Sequence, residues 1–213
     1  MKHKDLIFIL AVLIVVAIFV FIGLKQSNKN SNNDVNSDVE VEDLELLSGK
    51  HYVLITVKKY GKIKVELDAD TAPISVTNFI NLVNDGFYDG LTFHRIIEGF
   101  MIQGGGYQKD GSRKYADNIK GEFSQNGIEN NISHKRGVIS MARADNPNSA
   151  SSEFFIMHKD NESLDGRYAA FGHVISGMDV VDKIAKNAKP TDNNGSISLD
   201  ERPVIESIKV VEK

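Results

Sequence analysis

An arginine interrupts the largely apolar run at residues 93–106, FHRIIEGFMIQGGG. Arg95 sits among Phe93, Ile96, Ile97, Phe100, Met101 and Ile102, and Gln103 and three glycines close the run. A guanidinium survives in such a stretch only if it is paired or faces a site, because an unpaired buried charge loses its hydration. The run therefore folds in one of two ways. Either it aims Arg95 into a groove, where Gln103 holds it, or it leaves Arg95 on an edge strand with its stem over apolar surface and its head in water. The residues of this segment alone leave both ways open.

The surrounding pattern is mostly short strands. Residues 52–59 and 62–68 alternate apolar and polar, with Tyr60-Gly61 between them, which predicts a β-hairpin. Thr71-Ala72-Pro73 reads as a helix start, with Thr71 as N-cap and Pro73 in the first turn. Val76, Phe79, Ile80 and Val83 follow at helical spacing, and Asp85-Gly86 ends that helix. Residues 91–103, 137–142, 153–158, 172–175 and 204–211 read as strands, and 178–187 as a second amphipathic helix with Val181, Ile184 and Ala185 inward. Short strands with two separated helices point to a barrel.

Two further runs carry more specific information: SMARADNPNSASSEFFIM at residues 140–157 and SLDGRYAAFGHVISGMDVVDKIA at 163–185. Together with FHRIIEGFMIQGGG, in this order, they resemble the cyclophilin family of peptidyl-prolyl isomerases, and ADNPNSASSE resembles its bacterial branch. The resemblance covers residues 52–211 and implies a mainly β fold: a closed eight-stranded antiparallel barrel capped by two α-helices. It also implies catalysis of rotation about X–Pro bonds in unfolded or secreted polypeptides, without cofactor or metal; the alternative is a weakly catalytic or non-catalytic module that binds Pro-containing segments, favoured by Glu153. Carried onto this chain, Arg95 and Gln103 become the catalytic pair, and Phe100, Met101, Phe155 and Leu164 the pocket for the proline ring. Ala142 and Arg143 fall in the segment whose backbone binds the substrate chain, with Glu153 and Tyr168 completing the binding residues.

Three positions depart from the family pattern. Glu153 stands where glutamine is usual, and an ionised carboxylate accepts hydrogen bonds but cannot donate them. Pairing with Arg95 or Arg143 is the role expected of it, with a surface ion pair as the alternative. Tyr168 replaces a common histidine and keeps an aromatic body with a polar tip. Ser163 replaces the tryptophan of eukaryotic members, so cyclosporin binding is expected to be weak. Residues 108–120 lack the family's glycine-rich turn and carry Lys109, Arg113, Lys114 and Lys120, read either as a solvated loop or as a basic rim favouring acidic clients.

Residues 6–24, LIFILAVLIVVAIFVFIGL, carry no charge. At about 1.5 Å per residue they just span a bilayer core of about 30 Å. The segment is long for a signal-peptide core, and Phe21 stands where a cleavage site needs a small residue before Gly23. An uncleaved single-pass anchor is the expected reading, with secretion after cleavage as the alternative. Lysines flank both ends, so orientation is inferred from the five-residue N-terminal tail, which favours an extracytoplasmic C-terminal part. Residues 25–47, rich in Asn, Ser, Asp and Glu, are expected to form a flexible tether, with the isomerase-like domain over 48–213. There is no cysteine, which excludes disulfides, thiolate metal sites and a cysteine lipid anchor. A net charge of −4 carries no nucleic-acid footprint. The four histidines of the domain's interior runs lack metal-ligand spacing, and the three glycines lack the Lys-Ser/Thr of a phosphate-binding loop.

Overall fold

The computed structural model describes residues 45–213. The expected anchor at 6–24 and most of the expected tether lie outside the described residues, and no described helix is long and apolar enough to cross a membrane. Glu45–Lys213 forms one compact unit. Its first ordered tie is at Leu47, whose N–H donates to Thr77 Oγ1 at 2.9 Å while its side chain packs on the core.

Eight strands make one antiparallel sheet in the order β3-β4-β6-β5-β7-β2-β1-β8. In chain order they are β1 (Lys50–Val57), β2 (Gly61–Asp68), β3 (Leu91–Ile97), β4 (Met101–Gln108), β5 (Val138–Met141), β6 (Phe154–Met157), β7 (Ala170–Ser176) and β8 (Ile205–Val211). Helices α1 (Pro73–Asn84) and α2 (Met178–Asn187) accompany it. The edge strands β3 and β8 share no continuous ladder. Between them lie an isolated bridge, Thr92 to Val204, and backbone bonds from Gly90 to Ile205 and from Phe93 to Pro203. The expected eight antiparallel strands and two helices are present and form a half-barrel, its edge strands meeting only through those few contacts rather than closing the expected barrel with a ladder.

The alternation in β1 and β2 does what period-two patterning requires. Val53 pairs with Val65 and Ile55 with Ile63, and Ile208 of β8 lies opposite Ile55. All five are fully buried. The turn is Lys58–Tyr60 rather than Tyr60-Gly61, with Lys59 in the left-handed region at φ 69° and Gly61 already in β2. Helix α1 buries Phe79 against Tyr88, Phe154 and Phe171, with ring centroids 5.0–5.4 Å apart, so the helix anchors an aromatic core rather than a simple aliphatic one. Helix α2 buries Val180, Val181, Ile184 and Ala185.

Two expectations need correction. Residues 91–103 are not one strand but the hairpin β3–β4, turned at Gly99 (φ 79°), where Phe100 N–H returns to the Ile97 carbonyl at 3.0 Å. Thr71 does not cap α1. Its hydroxyl donates to Asp68 at 3.0 Å, and Ala72 holds the cap position without a side-chain bond. The orphan N–H groups of Ile74 and Ser75 donate instead to the buried carboxylate of Glu122, at 2.9 and 2.7 Å.

Candidate active site

The position of Arg95 depends on a break in the parity of β3. Phe93 and Ile96 both face the core with no exposed surface, yet residues three apart on a regular strand face opposite ways. The register explains it: Phe93 pairs with Gly104 but Arg95 with Gln103, so a bulge lies between them at His94. Without that extra residue Arg95 would share the face of Phe93 and point into the core.

Past the bulge, cross-strand rows divide cleanly. Ile96, Ile102, Ile156 and Ile139 run across β3, β4, β6 and β5 on the core face, all fully buried. The neighbouring row on the opposite face is Arg95, Gln103, Phe155 and Ser140. Met101, Val138, Phe155, Met157 and Ala170 form a second, smaller apolar cluster on this outer face, with Phe100, Ala142, Leu164 and Tyr168 packed against it. That cluster floors a groove of about 500 Å³. Nine of the ten residues expected in the site line it: Arg95, Phe100, Met101, Gln103, Ala142, Arg143, Phe155, Leu164 and Tyr168.

The guanidinium is held from two sides. Nε donates to the Asn194 carbonyl at 2.8 Å, and Nη1 donates to Gln103 Oε1 at 3.2 Å beside Met101 Sδ. Burial lowers its pKa, partly offset by Tyr168 and Asp192, and an arginine remains cationic under any such shift. Of the two readings of the 93–106 run, the structure therefore shows the groove-facing one, with Gln103 as the partner.

Glu153, the tenth residue, lies outside the groove. It lines an adjoining hollow with Gln103, Arg113, Arg143, Ser149 and Ser151. It pairs with neither Arg95 nor Arg143, against expectation. Its Oε2 accepts from Gln103 Nε2 at 3.0 Å and lies 3.4 Å from His94 Nε2, while Oε1 faces Arg113 at 3.4 Å. The glycine run makes room for it: a Cβ at Gly106 would stand 2.5 Å from Glu153 Oε1. Arg143 instead folds back, donating to the carbonyls of Arg167, Ala144 and Asp145, with its guanidinium 4.9 Å from the centroid of Tyr168. The Ala142 N–H is likewise engaged, donating to the Glu153 carbonyl at 2.9 Å. The four basic residues of the 108–120 loop do not form a common rim. Lys114 reaches back to the Phe87 carbonyl at 2.7 Å, and only Arg113 lines the hollow.

Behind the groove lies a relay that sequence reading missed. Asp165 accepts from Ser133 Oγ (2.7 Å), His134 N–H (2.7 Å) and His134 Nδ1 (2.8 Å), and His134 Nε2 meets Ser140 Oγ at 3.0 Å. The imidazole stacks on Phe155 with centroids 6.0 Å apart. Burial lowers the His134 pKa, with Asp165 opposing, which favours the neutral ring with Nδ1–H toward Asp165 and Nε2 accepting from Ser140. The relay thus ties the loop carrying Leu164 and Tyr168 to the strand under Phe155. Ser140 and His134 are fully buried, so this Asp-His-Ser set is a support and not a nucleophile. Among the described residues no group of three or more His, Asp or Glu side chains is placed to hold a metal ion.

Residues 52–212 match the family model for cyclophilin type peptidyl-prolyl cis-trans isomerases. The chain is 43% identical over 171 residues to peptidyl-prolyl cis-trans isomerase A of Dickeya dadantii, covering 76% of this chain and 85% of that one. It is 40% identical over 162 residues to peptidyl-prolyl cis-trans isomerase B of Escherichia coli, covering 72% and 96%. The solved structure of a Cryptosporidium parvum cyclophilin type isomerase in the presence of the dipeptide Ala-Pro superposes with a TM-score of 0.62. The identity there is 28%, over 76% of this chain and 99% of that one.

Proposed function

The chain belongs to the cyclophilin-type peptidyl-prolyl cis-trans isomerases, and from that premise we propose that Arg95 drives rotation by donating to the prolyl nitrogen. The barrier to X–Pro rotation is the loss of amide resonance, about 18–20 kcal/mol, and no covalent bond has to break. As the amide twists, a lone pair localises on the prolyl nitrogen, and a preorganised donor stabilises it more than the planar ground state. The observation that carries this reading is the placement of a guanidinium, fixed by Gln103 and the Asn194 carbonyl, at the wall of an apolar groove. Phe100, Met101, Phe155 and Leu164 grip the proline ring there, Gln103 aims Arg95, and Ala142, Arg143 and Tyr168 flank the peptide on one side. The Ala142 N–H is committed to the sheet, so its contribution to a substrate chain is its carbonyl and methyl group.

Proline-exchange NMR on an Ala-Pro peptide tests the reading. The enzyme should produce cis–trans exchange cross-peaks at catalytic concentration, far above the uncatalysed rate of one event in tens to hundreds of seconds. A protein that only holds proline segments would shift the peptide signals without speeding exchange, and that result would refute the mechanism.

The proposed setting is the outer face of a bacterial membrane, with residues 6–24 as an uncleaved anchor and extracytoplasmic unfolded chains as clients. Support comes from the charge-free length of that segment. Fractionation of cells should place the full-length protein in membranes, and protease added to intact wall-stripped cells should degrade residues 45–213. A full-length soluble protein, or a protected domain, would contradict the assignment.

A further inference from the structure

We propose that Glu153, supported by His94, is a positioning residue that locks the side-chain amide of Gln103 in the orientation Arg95 requires. The inference rests on the reading of Arg95 as the donor. A primary amide presents an oxygen on one side and an NH2 on the other, and the two ends are nearly equal in size. Only one orientation offers Oε1 to the guanidinium; the flipped one sets donor against donor. Gln103 lies between Arg95 and Glu153, at 3.2 Å and 3.0 Å. An ionised carboxylate can only accept, so it demands the NH2 and turns the oxygen toward Arg95. A glutamine at 153 could present either of its own ends and would hold Gln103 less firmly.

The carboxylate is itself held in place. His94 from the β3 bulge and Arg113 from the loop after β4 face its two oxygens, and Arg143 lines the same hollow from the loop after β5. The buried Nδ1 of His94 has no hydrogen-bond partner, so Nε2 is the end of the ring that engages a neighbour, and it faces Glu153 Oε2. Burial raises the Glu153 pKa, but His94, Gln103 and Arg113 together outweigh it, and the group lies below the ordinary 4.5. Glu153 is therefore ionised at neutral pH, and the lock weakens as pH falls through that lowered value.

The test uses the full chain in detergent. Glu153→Gln should lower kcat/KM about threefold at pH 7, since a charge-assisted bond is roughly twice as strong as a neutral one. Glu153→Ala should lower it further. The gap between wild type and Glu153→Gln should close as pH falls below the Glu153 midpoint, because protonated Glu and Gln are then alike. The side-chain NH2 resonances of Gln103 should titrate with that same midpoint, and His94→Gln should move the midpoint up. A Gln103 amide that ignores the carboxylate range, or a Glu153→Gln enzyme as fast as wild type at pH 7, would overturn the proposal. The NMR titration does not depend on catalysis. If Arg95 were not the donor, an unaffected Arg95→Ala enzyme would show it while the Gln103 titration persisted.

Discussion

Replacing Arg95 with alanine is expected to lower kcat/KM by at least about tenfold, or about 1.4 kcal/mol of transition-state stabilisation, with the fold intact. The side chain lies outside the main core, on the face opposite Ile96, so its removal leaves no cavity among the packed isoleucines. What is lost is the donor and the partner of Gln103 Oε1. The loss should appear in kcat more than in KM, because the interaction strengthens only as the amide twists. Arg95→Lys should recover little. An ammonium keeps the charge but lacks the planar fork that reaches the Asn194 carbonyl and Gln103 at once. Circular dichroism and the melting temperature establish that each variant is folded, and a protease-free exchange assay gives the rates. Turnover like wild type in Arg95→Ala would end the donor mechanism.

How much of this was visible in the chain follows from where the determining contacts lie. The β1–β2 hairpin was legible because every alternate residue packs on one core, so its period is unbroken. The β3–β4 hairpin was not, because both strands are apolar on two faces: one lies on the main core and the other floors the groove. Its bulge further erased the alternation that would have marked the strands. The same double-sided burial is why Arg95 stood out, as the one Lys, Arg, Asp or Glu within the two strands. The groove residues were collected by matching motifs; no periodicity separates Phe155, which faces the groove, from Phe154, which faces the core, until the rows of the sheet are known.

Partners distant in sequence stayed hidden. Glu153 finds His94 and Gln103, the latter fifty positions away, rather than the nearby Arg143. Asp165 reaches His134 across 31 positions. No local pattern encodes either pairing. Residue type did announce that Glu153 and Arg95 needed partners, since buried charges do, but only the register of β3, β4 and β6 says which ones.

The cap of α1 is the strongest case of a remote partner, and it leads to a large expected effect on stability. Glu122, 1% exposed, receives the N–H groups of Ile74 and Ser75 and the Ser75 hydroxyl at 2.6 Å. It thus satisfies the first turn of the helix from 47 positions away. It also pins the irregular chain between β4 and β5 to the helix. Glu122→Ala leaves three donors without an acceptor in a site closed to water, which should destabilise the protein by about 2–4 kcal/mol. Glu122→Gln should be nearly as harmful, because each carboxylate oxygen accepts a backbone N–H, so either orientation of the amide sets its NH2 against a donor. Urea unfolding of the three forms measures the difference. Since Glu122 lines neither the groove nor the adjoining hollow, kcat/KM well below the melting temperature should stay within about twofold of wild type. If both variants unfold at the wild-type urea midpoint, the carboxylate is not what caps this helix.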